Sequence, residues 1–307
     1  MSRVSLIIET YNLVEGTDRD RFAAALRSAA VAAGGCDGEL LVTDVCGGAD
    51  VARLVAEAAP HARLLDAVGM SYDEAKMLAA AEAGGETLVY LDSDCEPLGR
   101  WPHELLDCLR SHPDAPGVGG FTRYRGDGIL SAVMSVMDFG FLIPRRNRPL
   151  ACYAFNNTAF RKRVLVACPI QGDGLRCGCF AHAQKLARQG TPLLLAPDAV
   201  AIHDLPPIVR ERSRQGHDTI AACWANPALP EARWLRLGVL SVPLFLAFRI
   251  ALDWRRLLVG FRDLGLRIPG LVAALAVVPV LRLIDGMGMV HALRVGRGAE
   301  PWGGWPE

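Results

Sequence analysis

The sequence predicts an α/β fold, in which a Rossmann-like, mostly parallel sheet with flanking helices is followed by an apolar helical region. Short apolar runs alternate with helical segments through about the first hundred residues, which is the pattern of a doubly wound parallel sheet. Hydrophobic residues make up 51% of the chain, and the excess collects after about residue 234. A chain of 307 residues is long enough for one large domain with an appendage.

The predicted elements follow from these runs. Apolar runs bounded by polar or glycine residues predict strands over 4–8, 39–43, 62–65, 88–91, 118–124 and 193–195. Helical spacing predicts helices over 18–33, 51–59, 72–83, 102–111, 129–142 and 180–189. Ser71 is a suitable N-cap for one of these helices, and Gly190 suits the position after the end of another.

The charge balance excludes one class of partner. The chain carries 33 basic and 33 acidic residues, so its formal net charge is zero and no nucleic-acid partner is expected.

Two carboxylates one residue apart, Asp92 and Asp94, follow the fourth predicted strand. Alternate side chains of a strand share a face, and open α/β sheets bind ligands at the carboxyl ends of their strands. Two such carboxylates repel each other unless a cation binds them or hydroxyl groups donate hydrogen bonds to them. The pair therefore predicts a divalent metal, Mn²⁺ or Mg²⁺, that carries a diphosphate. The alternative is a strand that ends in an Asp-rich turn.

The order of several motifs resembles one enzyme family. These are the opening Val-Ser-Leu-Ile-Ile-x-Thr-Tyr-Asn, the Asp after the second strand, Gly-Glu-Thr-Leu-Val-Tyr-Leu-Asp-Ser-Asp, and Pro-Asp-Ala-Val-Ala-Ile-His. Together, over about residues 3 to 216, they resemble the GT-A fold glycosyltransferases of the inverting, nucleotide-sugar-dependent family 2. The resemblance implies a catalytic domain over 1–216, with a donor half of about 1–97 and an acceptor half of about 98–216. It leaves 217–307 as a membrane-associated helical region.

The resemblance also implies roles for donor-binding residues. Thr10 and Tyr11, with Asn12 beside them, would contact the base and ribose, and Asp44 would accept a hydrogen bond from the base. Asp92, next to Ser93, would hold the ribose hydroxyls. Asp94 and His203 would bind the metal, and Lys76 and Arg214 would reach phosphates. For Lys76 the alternative is a surface lysine, and for His203 a structural histidine at the end of a strand.

The acceptor half departs from the family pattern. Asn156 and Asn157 resemble the start of an acceptor site, although an Asx turn is the alternative. Family members carry the catalytic base about eleven residues before the glycine that closes the next helix. Counting back from Gly190 reaches no carboxylate. Asp173 is the first candidate base and His182 the second. An acceptor that needs no base is a third possibility.

Two apolar segments, 237–248 and 269–280, contain no charge. Each has 12 residues, fewer than the roughly 20 of a spanning helix. If both spanned, the arginine-rich connection would lie opposite a cytosolic catalytic domain, against the positive-inside rule. We therefore expect helices that lie in the inner leaflet with arginines among the headgroups. A re-entrant hairpin is intermediate, and a soluble helical subdomain or dimer interface is the alternative.

The expected function is metal-assisted, inverting transfer of a sugar from a nucleoside diphosphate sugar, of the UDP type, at the cytoplasmic face of the membrane. The acceptor would be lipid-linked, a polymer or a small molecule. A nucleotidyltransferase would carry a Gly-rich loop after the first strand, where this chain has Glu-Thr-Tyr-Asn-Leu. A catalytically inactive nucleotide-sugar-binding homologue is the remaining alternative.

Overall fold

The computed structural model describes residues 3–14, 16, 18–170, 178–227 and 229–296. Internal contacts group them into two units. The first comprises the described parts of Met1–Arg123, Arg145–Gly172 and Cys177–Asp204, and the second those of Tyr124–Pro144 and Leu205–Glu307. Residues 124–144 group by contacts with the C-terminal helices, and the predicted division near residue 216 stays a prediction.

The secondary structure is mixed. The strands in the described residues are β1 (Val4–Glu9), β2 (Glu39–Asp44), β3 (Arg63–Asp66), β4 (Thr87–Asp92), β5 (Cys95–Pro97), β6 (Gly117–Tyr124), β7 (Asn157–Arg161) and β8 (Leu194–His203). The α-helices are α1 (Tyr11–Val14), α2 (Arg19–Gly35), α3 (Ala49–Ala58), α4 (Tyr72–Glu82), α5 (His103–Ser111), α6 (Ile129–Phe139), α7 (Lys162–Ala167), α8 (Cys179–Arg188), α9 (Ile208–Ala225), α10 (Val242–Gly260) and α11 (Ile268–Val295). Short 3-10 helices cover Gly140–Leu142 and Pro230–Ser241.

The strands of the first unit form one sheet in the order β3-β2-β1-β4-β7-β6-β8-β5. The four strands predicted to be parallel, β1 to β4, are parallel. Beyond β4 the sheet is mixed, because β7 is antiparallel to β4 and β6, and β5 is antiparallel to β8. Neither β5 nor β7 was predicted, and the predicted strand over 193–195 is the start of β8, which continues to His203.

The central strands position the polar residues that follow them. Every residue of β1 and β4 is buried, as expected for parallel strands covered on both faces. Helix α4 begins at a capping box, in which Ser71 Oγ accepts from Glu74 N and Glu74 Oε2 accepts from Ser71 N at 2.8 Å. The predicted N-cap is therefore confirmed. Gly190, with φ +78°, follows α8 as predicted.

In the second unit α9 and α11 touch through their backbones. A Cβ added at Gly216 would overlap the carbonyl of Asp285, and one added at Gly288 would overlap that of Ser213. Small residues allow such close helix contact.

Charged side chains of the second unit point inward. Arg282 donates to Asp253 at 2.7 Å and pairs with Asp285, and all three are at most 2% exposed. Arg212, fully buried, pairs with Asp138. The expectation that the arginines lie among headgroups was thus wrong for Arg282, since its partners are carboxylates 3 and 29 residues away in the chain.

The outer side of this unit is apolar. Exposed large hydrophobic side chains on α10 and α11 are Leu244, Phe248, Trp254, Leu258, Val259, Ile268, Val272, Val280, Leu283, Met287 and Val295. Two helical segments of the described residues, Pro230–Gly260 and Ile268–Val295, have the length and composition of membrane spans, a criterion that a core helix of a soluble protein also meets. Within residues 229–296 every exposed charged side chain is an arginine.

Asn157 allows a test of the mixed part of the sheet. Its Oδ1 accepts from Trp101 Nε1 at 3.0 Å, and its Nδ2 donates to the carbonyls of Ala199 at 3.0 Å and Phe121 at 3.4 Å. Asn157→Ala leaves these buried groups unpaired, so we expect the free energy of unfolding to fall by about 2–4 kcal/mol. The exposed Asn147→Ala is the matched control. Equal urea midpoints for the two variants would contradict this account.

Candidate active site

The carboxyl ends of β1, β2 and β4 lie side by side at one edge of the sheet. Glu9, the last residue of β1, is the register partner of Asp92 on β4 and of Thr43 on β2. Asp44 ends β2 one residue later. The structure therefore brings together the polar positions that follow three parallel strands, as the sequence predicted.

Thr10 and Asp44 form a buried hydrogen-bonded unit. Thr10 Oγ1 donates to Asp44 Oδ1 at 3.0 Å and accepts from Val45 N at 3.0 Å, and Cys46 N donates to the same Asp44 oxygen at 2.9 Å. Thr10 is fully buried, so its hydroxyl holds the Asp44 carboxylate in place. Among the described residues no hydrogen bond reaches Asp44 Oδ2, which can therefore accept one from a ligand.

A pocket of about 310 Å³ opens beside this unit. It lies near the starts of α2 and α3, and its lining residues are Leu13, Arg19, Cys46, Gly48, Ala49, Asp50 and Val51. Cys46 links the two features, because its N–H binds Asp44 and its side chain lines the pocket. A pocket of this size holds a small aromatic ring system.

Lys76 and Asp92 form a buried ion pair. Lys76 Nζ donates to Asp92 Oδ1 and, at 2.6 Å, to the hydroxyl of Tyr72, which in turn donates to Asp92 Oδ2 at 2.9 Å. The ammonium lies 3.9 Å from the ring centroid of Tyr72 and 4.6 Å from that of Phe155. Lys76 is only 1% exposed, so it is not the surface lysine of the alternative interpretation, and its charge is matched by Asp92. The predicted phosphate contact of Lys76 stays a prediction.

Glu9 is a third carboxyl group at this edge, and it is fully buried. Its side chain accepts from Tyr11 N and, at 3.5 Å, from Asn12 Nδ2. Burial, followed by the nearby charge of Asp92, raises the pKa of Glu9 to about 8. The carboxyl group is therefore protonated at neutral pH, and it fixes the Tyr11–Asn12 segment of the predicted donor site.

The pairing of β5 with β8 brings Asp94 and His203 together. Cys95 is the register partner of His203, and His203 Nε2 lies 3.2 Å from Asp94 Oδ2. His203 Nδ1 is 2.8 Å from the carbonyl oxygen of Asp204 and must donate to it, so a neutral ring has its lone pair on Nε2. Two facing lone pairs need a proton or a cation between them. Burial raises the pKa of Asp94, with Asp92 adding to the shift and His203 opposing it.

These residues fit a divalent cation. One ligand atom from each of Asp94, Cys95 and His203 lies within 4.8 Å of the others. Two ligands that bind a cation at right angles and at 2.0–2.1 Å lie about 3.0 Å apart, close to the observed 3.2 Å. Burial raises the pKa of the Cys95 thiol well above its usual value, so oxygen and imidazole nitrogen are the donors on offer, a set that suits Mn²⁺.

Two further predicted donor residues lie in the same region. Tyr11 is half-buried, and its ring meets that of Tyr72 edge-on at 5.9 Å between centroids. Ser93 is fully buried, and its hydroxyl has no hydrogen-bond partner among the described residues. Such an orphaned group is what a bound water or ligand satisfies.

Both predicted acceptor residues are buried, Asn156 in the turn directly before β7 and Asn157 in the strand itself. Asn157 belongs to β7, and its amide joins three segments of the first unit through the hydrogen bonds given above. Asn156 Oδ1 accepts from Thr122 Oγ1 at 3.0 Å, and the side chain is 5% exposed. Their contact with an acceptor sugar stays a prediction.

Of the two candidate bases, only His182 lies among the described residues. Asp173 lies outside the described residues. His182 is buried, Nε2 donates to the carbonyl of Cys168 at 2.9 Å, and Nδ1 accepts from the hydroxyl of Tyr153 at 2.9 Å. Burial lowers the pKa of His182 to about 4. The lone pair on Nδ1 therefore already accepts a hydrogen bond and is weakly basic. This is the environment of a buried histidine with a structural role.

Arg214 lies in the second unit, on α9, where it pairs with Glu211 one turn earlier. Gln215 Nε2 donates to the same carboxylate at 2.8 Å. The predicted phosphate contact of Arg214 stays a prediction.

Comparison with solved structures identifies the fold. The mannosyltransferase PcManGT from Pyrobaculum calidifontis, solved with GDP-Man and Mn²⁺, matches 96% of this chain and 86% of its own at 17% identity and a TM-score of 0.59. GalNAc-T7, solved with UDP, GalNAc and Mn²⁺, matches 75% of this chain at 13% identity and a TM-score of 0.48, and the chain spans 52% of that protein's length. No protein-family model and no curated protein sequence matches the chain.

The fold is that of the GT-A glycosyltransferases. The predicted fold class is thereby confirmed, including the apolar helices that follow the sheet.

Three residues of this edge were missed from the sequence. Glu9 was assigned only to the loop after the first strand, although its place directly before Thr-Tyr-Asn could have marked it. Tyr72 stands four residues before Lys76, the spacing at which helix side chains meet. Cys95 directly follows Asp94, and no motif in the sequence marks it as a site residue.

Glu9 should make stability depend on pH. Below about pH 4.5 its carboxyl group is protonated in both states, whereas up to about pH 8 only the unfolded state releases the proton. Stability is therefore lost as pH rises through this window, by up to about 1.4 kcal/mol per pH unit. Glu9→Gln should flatten this slope between pH 5 and 8 in urea unfolding experiments, and the exposed Glu57→Gln should not. Parallel curves for wild type and Glu9→Gln would refute the assignment.

Proposed function

We propose that this protein is a metal-dependent glycosyltransferase that transfers a sugar from a nucleoside diphosphate sugar with inversion at the anomeric carbon. The observation that carries the proposal is the cluster of Thr10, Asp44, Asp92 and the Asp94–His203 pair at the carboxyl edge of a GT-A sheet. Open α/β sheets bind their ligands at this edge.

The nucleobase would bind beside Asp44. The free Oδ2 of Asp44 suits an imide N–H of a uracil-type edge, and the neighbouring pocket of about 310 Å³ suits the ring. Thr10 would act by holding Asp44, and Tyr11 would contact the base and ribose. Asp92 would receive the ribose hydroxyls, with the Ser93 hydroxyl close by. UDP is the nucleotide that we favour.

A divalent cation, Mn²⁺ or Mg²⁺, would be held by Asp94 and His203. When bound, it would neutralise the diphosphate and stabilise it as a leaving group. Of the chain's own residues, Asp204 would orient the imidazole of His203 through its carbonyl, and Asp94 would supply the anionic ligand. Such support of a ligating imidazole is common in metal sites.

The acceptor would be activated by Asp173. A single inverting displacement needs a general base at the attacking hydroxyl. His182 is the weaker candidate, because its lone pair already accepts from Tyr153. Asn156 and Asn157 would lie near the acceptor, which we propose to be lipid-linked, with a polymer or small molecule as alternatives.

The helices α10 and α11 would contact the membrane at its cytoplasmic face, where activated sugars are available. Their outer surfaces are largely apolar, although Arg255 and Arg294 are exposed. Asp253, Arg282 and Asp285 pair inside the unit. The apolar stripe on α11 from Ile268 to Met287 is about 29 Å long at 1.5 Å per residue, close to the roughly 30 Å of a bilayer core. The exposed arginines suit anionic headgroups. Inward pairing also removes Asp253 and Arg282 from the outer surface, whereas Arg255, Arg262 and Arg267 stay exposed.

Asp94→Ala tests the proposed metal site. A thermal-shift screen of nucleoside diphosphate sugars with and without Mn²⁺ identifies the donor, because a ligand at 100 times its Kd stabilises the native state by about 2.7 kcal/mol. Calorimetry with that donor should then show Mn²⁺-dependent binding for wild type and for the exposed Glu96→Ala, and none for Asp94→Ala.

The melting temperature of unliganded Asp94→Ala should match that of wild type. Unchanged Mn²⁺-dependent affinity would remove Asp94 from the site. Donor binding by wild type without any turnover would favour the inactive homologue.

Leu283→Glu tests the membrane contact. A carboxylate in the hydrocarbon costs about 2.5 kcal/mol or more, so this variant should float less with vesicles of phosphatidylcholine and phosphatidylglycerol than wild type does. Val31→Glu, at a 78% exposed position of the first unit, is the control. A wild-type protein that stays unbound and elutes as a dimer would assign the apolar surface to a second copy instead.

A further inference from the structure

Tyr72 donates a hydrogen bond to the carboxylate of Asp92, which the proposed nucleotide-sugar donor would also bind. It is the first residue of α4, and its hydroxyl lies 2.9 Å from Oδ2 and 3.2 Å from Oδ1 of Asp92. Burial, with the charge of Asp92 adding to it, raises the pKa of Tyr72 well above its usual value. The phenol therefore keeps its proton and donates it to Asp92.

Asp92 has little capacity left for a ligand in this arrangement. Its partners among the described residues are Tyr72 and Lys76, and the residue is 4% exposed. A ribose diol needs the same lone pairs of Asp92 that Tyr72 now uses. Ligand and tyrosine thus compete for one carboxylate.

The surroundings of Tyr72 permit its displacement. The side chain is half-buried, and its ring meets its aromatic neighbours edge-on, with centroids 5.9 Å from Tyr11 and 6.4 Å from Phe155. The capping box at Ser71 fixes the backbone. A side-chain rotation that removes the hydroxyl from Asp92 therefore leaves the backbone of α4 in place. Lys76 loses its hydrogen bond to Tyr72 and keeps the one to Asp92 Oδ1.

We propose that Tyr72 is a specificity-determining residue of the donor site, whose hydroxyl stands in for the ribose diol on Asp92 and is exchanged for it when a ribonucleotide binds. This inference rests on the proposed function. A nucleotide with the diol gains its bonds to Asp92 and loses those of Tyr72. A nucleotide without the diol leaves Tyr72 where it is. Tyr72 thereby lowers the affinity for ribonucleotides alone.

The test compares Tyr72→Phe with wild type by calorimetry in Mn²⁺. The probes are UDP and 2′,3′-dideoxy-UDP, with GDP and its dideoxy analogue as a second pair. A hydrogen bond to a charged group is among the stronger ones, so its removal should tighten UDP or GDP binding about tenfold. The affinity for the dideoxy analogue should stay unchanged.

The control is Tyr90→Phe, which removes a buried hydroxyl that donates to the carbonyl of Lys76 at 3.3 Å and leaves Asp92 untouched. It should alter neither affinity. Tyr72→Leu, which also lacks the hydroxyl, should reproduce the gain, and melting temperatures show that each variant is folded.

Two results would overturn the inference while leaving the proposed function intact. If Tyr72→Phe weakens UDP binding, the hydroxyl contacts the ligand directly. If UDP and its dideoxy analogue change equally, Tyr72 acts only on the general structure of the site. If wild type and Tyr72→Phe bind neither nucleotide, the proposed function itself fails, and the inference fails with it.

Discussion

Three carboxyl groups are crowded at the carboxyl ends of β1 and β4, and each is neutralised by different means. Glu9 keeps its proton, because burial and the charge of Asp92 raise its pKa. Asp92 is matched by the buried ammonium of Lys76. Asp94 faces the imidazole of His203, where a proton or a cation completes the balance. Since unpaired charges are not tolerated inside a protein, this division determines which of the three carboxylates can receive a ligand.

The second unit also pairs charged groups in its interior, but its outer surface is largely apolar. Its charged groups, Asp138, Arg212, Asp253, Arg282 and Asp285, pair with one another in the interior, while apolar side chains cover α10 and α11 outside. An ordinary soluble domain has the reverse arrangement. Buried pairs of this kind contribute little net stability, but removing one partner is costly. They therefore specify how α6, α9, α10 and α11 fit together.

The parts that the sequence predicted are those with a local signal. Apolar runs marked β1 to β4, Ser71 marked the N-cap of α4, and parallel strands required Asp44, Asp92 and Asp94 to share an edge. The missed parts depend on distant partners. β5 has three residues and includes a proline, so periodicity cannot reveal it, yet its pairing with β8 brings His203 to Asp94. Likewise nothing near Arg282 predicts that Asp253 will neutralise it.

The position of Lys76 bears on where positive charge for a diphosphate comes from. A lysine that reached the phosphates would share their neutralisation with a metal. Here the ammonium is enclosed by Asp92 and two aromatic rings at 1% exposure, so its charge is already matched and shielded from solvent. While Lys76 keeps this place, it lends the phosphates little charge of its own. Under the proposed function, a cation held by Asp94 and His203 would then supply most of the positive charge at the diphosphate, so we expect donor binding to depend strictly on the metal.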